Sequence, residues 1–81
     1  MTNEPKAKNI IGRRVAEGRG LLQPPLTQDA LSGRLARIGV QLDRAAIAKI
    51  ETDHRRVFDF ELKALAEVLS VQVDWLLGIV R

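Results

Sequence analysis

The sequence predicts an all-α fold of about five helices, and three observations carry that prediction. Apolar residues recur three and four positions apart through most of the 81 residues, the spacing that lines one face of a helix. Residues that cap helix starts, Thr27, Asp43 and Asp59, stand just before those periodic stretches, and Gly39 and Gly78 follow the ends of two of them. No stretch alternates apolar and polar over the length of a strand; Val71–Val73 comes nearest and is too short.

The first helix is expected from about Lys8 to Leu22, because Ile11, Val15, Gly18 and Leu22 share one helical face. Gly12, Gly18 and Gly20 each cost about 1 kcal/mol relative to alanine, so this helix depends on packing. Pro24-Pro25 ends it, since a residue before proline is pushed out of the helical region. Thr27 caps a second helix, with Asp29 in its first turn where the dipole favours an anion. Ala30, Leu31, Leu35 and Ile38 form its expected buried stripe, and Gly39 takes the left-handed position past its end. Asp43 caps a third helix, with Leu42 before the cap and Ile47 after it spaced as a hydrophobic staple. Ile47 and Ile50 face inward, which leaves Arg44, Ala45, Ala48 and Lys49 outward. The following loop, Thr-Asp-His-Arg-Arg, offers Asp53 for a left-handed residue. Asp59 is expected to cap a fourth helix that buries Leu62, Leu65, Ala66 and Leu69 and breaks at Ser70. Val73-Asp-Trp-Leu-Leu opens a short fifth helix ended near Gly78, with Trp75 in the core.

A chain of 81 residues has room for one small core, so residues 9–81 are expected to form a single domain behind a flexible N-terminal arm, residues 1–8. That arm is polar, contains Pro5 and lacks the apolar stretch of a signal peptide. No apolar run approaches the roughly 20 residues that span a bilayer, so no membrane partner is expected. The absence of cysteine removes disulfides and thiolate metal sites and suits a cytoplasmic protein. The net charge of +3 is unevenly spread: residues 1–40 hold seven Lys/Arg against three acids, and residues 58–81 hold two against four. A basic N-terminal half and an acidic end suit a domain with one face toward a polyanion.

Residues 26–51 narrow that reading. They predict a capped helix, a glycine turn and a second capped helix whose outer face carries Arg44 and Lys49, which is the helix-turn-helix way of entering a DNA major groove. Further pieces stand in a consistent order: Ile11-Gly12 with Arg14, Val15 and Arg19; Leu26-Thr27-Gln28; Ile47-Ala48-Lys49-Ile50-Glu51; Glu61-Leu62 with Leu65-Ala66; and Val73-Asp74-Trp75-Leu76-Leu77. From Ile10 to Gly78 the chain thereby resembles the lambda-repressor-like, Cro-type (XRE) family of helix-turn-helix domains. The resemblance implies five helices with the third as recognition helix. It implies that Gln28 bonds a backbone phosphate and braces that helix, and that Arg44, Ala45 and Lys49 occupy base-reading positions. It implies a partly buried salt bridge between Arg19 and Glu51. The link between Leu35 and Ile47 is longer than the common pattern, which enlarges the turn.

Arg44 suits guanine, whose O6 and N7 accept a bidentate guanidinium, and the methyl of Ala45 can pack on that of thymine. Arg13, Arg14, Arg55 and Arg56 are the expected phosphate contacts beside Gln28, with His54 in the same loop. The partner so implied is double-stranded DNA, bound as a homodimer through apolar residues near the C-terminus, Leu77, Ile79 or Val80. No cofactor, metal or small-molecule ligand is expected. Neither a nucleophile motif, nor a Gly-rich phosphate loop, nor metal-spaced histidines point to an enzyme. The competing class is a protein-interaction module on the same scaffold, such as an antitoxin that binds its toxin.

Overall fold

The computed structural model describes residues 7–79. Five helices follow in order, α1 (Gly12–Leu21), α2 (Gln28–Arg37), α3 (Arg44–Glu51), α4 (Asp59–Leu69) and α5 (Val73–Leu76), and no strand occurs among the described residues. The fold is all-α. None of these helices is long and apolar enough to cross a membrane.

Helix α1 starts later than expected because Asn9 caps it from outside. Its side-chain oxygen accepts from the amides of Ile11 (3.0 Å) and Gly12 (2.8 Å), so the chain before Gly12 is a clasp and not a helical turn. Thr27 caps α2 by accepting from the Ala30 amide at 3.0 Å, and Asp43 caps α3 by accepting from Ala46 at 2.7 Å. The expected cap of α4 is displaced by one residue: Phe58 holds the cap position, and Glu61 reaches back to accept from its amide at 3.0 Å. Asp59 lies inside the helix and accepts from the next amide, Phe60.

Four helix ends close alike. A left-handed residue (Gly39, Asp53, Ser70 or Gly78) reverses the chain, and the amide after it returns to a carbonyl of the last turn. After α2 these bonds are Gly39 to Ala36 and Val40 to Leu35, both at 3.0 Å. That reversal moves the end of the α2 stripe. Val40 comes into the core at 9% exposure, whereas Ile38 is left 44% exposed and Ala30 also faces solvent.

The core is built on Val15, Leu31, Leu35, Ile47, Ile50, Leu65, Leu69 and Leu76, all fully buried. Helix α1 packs on α3, α4 and α5, while α2 packs on α3 and α4. Gly18 lets α4 and α5 approach α1: a Cβ there would sit 3.4 Å from Leu69 and 3.5 Å from the Trp75 ring. Trp75 is only half-buried, a correction to the expected core position; Leu76 fills that place, and the indole covers the edge between α1 and α5.

Candidate nucleic-acid interface

Helix α3 is fixed from within before anything is displayed on its outer face. Leu42, just before the cap, is 2% exposed, and Ile47 and Ile50 are fully buried, so the inner stripe sets the rotation of the helix. The opposite side then presents Arg44, Ala45 and Lys49 to solvent, with Ala48 half-buried between them. Thr52, at the C-cap, continues this exposed row one turn further. The sequence reading missed Thr52. Its hydroxyl donates to the Ala48 carbonyl at 2.8 Å and lies 3.0 Å from Nδ1 of the exposed His54.

Arg44 and Lys49 have no hydrogen-bond or ion-pair partner among the described residues. The same is true of the exposed side chains of Arg13 and Arg56. A cation left in water without a partner contributes almost nothing to the fold, and it is free to meet an anion.

The ion pair implied for Arg19 and Glu51 is present and bidentate. Arg19 donates from Nε to Oε2 at 2.7 Å and from Nη2 to Oε1 at 2.8 Å, while its Nη1 donates to the Leu26 carbonyl at 2.8 Å. The Glu51 side chain is 8% exposed and that of Arg19 20%. The hydrogen bonds to Glu51 raise the pKa of Arg19, outweighing the opposite effect of burial. Gln28 joins the pair, with Nε2 donating to Glu51 Oε1 at 3.0 Å. The carboxylate can only accept, which fixes the amide orientation. One N–H of Gln28 is thus committed to bracing α3, and its second N–H has no hydrogen-bond partner among the described residues. These three residues tie α1, α2 and α3 together at one point.

The exit of α3 is clasped as well. Asp53 sits at φ 65°, and its Oδ1 accepts from the amides of Lys8 (2.7 Å) and Asn9 (3.0 Å). Asn9 donates in turn from Nδ2 to the carbonyls of Ile50 (3.0 Å) and Arg55 (2.8 Å). Sequence reasoning missed this clasp. An asparagine just ahead of an apolar periodicity was its one visible signal. Of the segment expected to be a flexible arm, residues 1–6 lie outside the described residues, whereas Lys8 is held by Asp53.

Two of the expected phosphate contacts have internal partners. Arg55 is bidentate on Glu61, at 2.9 Å and 3.0 Å, and also donates to the Arg56 carbonyl at 2.8 Å. Glu61 is buried, with a side chain only 5% exposed. Burial pushes its carboxyl up, but the Arg55 hydrogen bonds, the Phe58 amide and the charge of Arg55 together hold it below the ordinary value. The hydrogen bonds to Glu61 likewise raise the pKa of Arg55 against burial. A buried carboxylate therefore claims the guanidinium the sequence had assigned to phosphate. Arg14 is half-buried with its guanidinium 4.8 Å from the centroid of the Trp75 ring. It faces α5, while Gly12 and Arg19 of the same helix face α3.

Of the expected C-terminal apolar residues, Leu77 is half-buried, Ile79 is 47% exposed, and Val80 lies outside the described residues. No protein-family model, curated protein or solved structure matches the chain.

Proposed function

We propose that this chain is a sequence-specific double-stranded DNA-binding transcriptional regulator, a repressor in its simplest form, that works as a homodimer and lays α3 in the major groove. One observation carries the reading. The outer face of α3 offers Arg44 and Lys49 without hydrogen-bond or ion-pair partners among the described residues, while its inner face and both its ends are locked by Asp43, Glu51 and Asp53. A preset helix of this kind loses little conformational freedom on binding, which is what reading base edges requires. Arg13 and Arg56, with His54 and the second N–H of Gln28, are the favoured phosphate contacts, because Arg14 and Arg55 are engaged within the fold.

The test is a titration of the protein with random-sequence duplex DNA at several salt concentrations. Log affinity should fall linearly with log salt, by about 0.9 per neutralised phosphate. Arg56→Ala should lower the slope by about one and weaken all sequences alike. Arg55→Ala should leave the slope unchanged. A flat salt response in the wild-type protein would remove the DNA reading and favour a protein-interaction module.

A further inference from the structure

An exposed apolar surface lies at the start of α4, away from α5. Phe58 and Phe60, each 58% exposed, stack at the start of α4 with ring centroids 5.8 Å apart and planes within 11°. Beside them a shallow groove runs between α4 and the end of α2, lined by Ile38, Val40, Phe60, Lys63, Ala64 and Glu67. Two phenylalanine rings and a 44% exposed isoleucine in one place are the residue types and the exposure of an interface anchor.

The charges say which partner fits. Lys63 and Glu67 flank this groove four residues apart on α4, both exposed. They could pair with each other along the helix, yet neither has an ion-pair partner among the described residues. Lysine preceding glutamate is also the weaker order for an intrahelical pair. A face with one cation and one anion beside an apolar centre is complementary to itself. Under a two-fold axis each copy sets its Lys63 against the partner's Glu67, so two ion pairs form and every charge is met once.

We infer that a second copy of this chain docks here, and that α4 with the end of α2, rather than the C-terminus, forms the homodimer face. This deepens the dimer invoked in the proposed function, and it is tested on the protein alone, so its failure is distinct from a failure to bind DNA.

Sedimentation equilibrium over a range of protein concentrations provides the test. Wild type should dimerise, and Phe60→Ala should raise the dissociation constant about tenfold or more, as loss of an interface anchor does. Lys63→Glu and Glu67→Lys should each weaken association similarly, because one substitution creates two like-charge contacts. An equimolar mixture of these two variants should recover dimers, since each carries the sign the other lacks. Thermal melts equal to wild type show that these exposed substitutions leave the fold intact. A wild-type monomer at all concentrations, or a dimer that Ile79→Ala weakens and the charge variants do not, overturns the inference. So does a mixture no better associated than its components.

Discussion

Gly12 sets α1 against the backbone of α3, and this contact predicts opposite outcomes for the same substitution at two glycines. A Cβ on Gly12 would meet the Ile50 carbonyl oxygen well inside contact distance, with the Glu51 carbonyl carbon and Cα each 3.2 Å away. The obstacle is backbone and cannot rotate aside. That carbonyl also accepts from Asn9 Nδ2 at 3.0 Å and from the Asp53 amide at 3.2 Å, so displacing it disturbs the clasp at the exit of α3. Overpacking a filled contact costs about 1–3 kcal/mol, and each weakened hydrogen bond adds about 1 kcal/mol. Against this, alanine gains less than ~1 kcal/mol of helix propensity, because Gly12 is the first residue of α1. The net expectation for Gly12→Ala is a loss of about 3 kcal/mol. At about 4–8 °C per kcal/mol for a domain of this size, Tm falls by more than ~10 °C. Gly33, in the middle of α2 with nothing within 4 Å of an added Cβ, should instead gain about 0.5–1 kcal/mol as alanine. Thermal and urea denaturation followed by circular dichroism measure both. A neutral or stabilising Gly12→Ala would refute the close approach of α1 and α3, and with it the placement of the clasp.

Three further outcomes are expected. Glu51→Ala leaves the Arg19 guanidinium with only the Leu26 carbonyl and should cost about 3 kcal/mol, the low end for breaking a buried pair because Arg19 keeps 20% exposure. A double-mutant cycle with Arg19→Ala should show strong coupling, and additive losses would mean the two do not interact. The depressed pKa of Glu61 contributes stability that is present above the unfolded carboxylate value, about 4.3, and disappears as pH falls through the folded value. Urea midpoints between pH 7 and pH 3 should therefore fall less steeply in Glu61→Gln than in wild type, and parallel curves would contradict the pairing with Arg55. On the proposed DNA reading, Arg44→Ala should relax preference at one guanine by roughly 1–3 kcal/mol with a smaller loss of non-specific affinity, measured by competition against single-base variants of a selected site.

The helices were legible where the signal was local. Thr27 and Asp43 cap the helices they precede, and Gly39 and Asp53 take left-handed backbone, because caps and turns depend on a few neighbouring atoms. The fold's long-range clasps were not legible. Nothing near Asn9 in sequence indicates that Ile50, Asp53 and Arg55, more than forty positions away, supply its partners. The capping role of Glu61 escaped notice because the cap position opposite it is Phe58, which lacks the oxygen that makes a capping box recognisable. Ile38 continued the periodicity of α2 on paper, but a helix keeps its stripe only while it lasts, and the reversal at Gly39 substitutes Val40.

On the proposed DNA reading, the same limit governs which cations can meet DNA. A guanidinium fits a carboxylate as well as a phosphate or a guanine edge, so residue type leaves the role of each arginine open. What decides is the position of the carboxylates that water cannot reach. Glu51 and Glu61, with side chains 8% and 5% exposed, are tolerable in the interior only if each is paired and hydrogen-bonded. Each therefore takes the arginine whose fork it can reach, Arg19 from α1 and Arg55 from the loop after α3, and Trp75 draws Arg14 to the far flank of α1. Arg13, Arg44, Lys49 and Arg56 are not claimed in this way: like Arg34, Arg37 and Lys63 they are exposed and have no hydrogen-bond or ion-pair partner among the described residues. The acids buried in the fold thus withdraw Arg19 and Arg55 from any role toward a polyanion in the proposed reading. Replacing either buried glutamate would release an arginine toward solvent and add charge beside α3, at the expense of the structure that aims it.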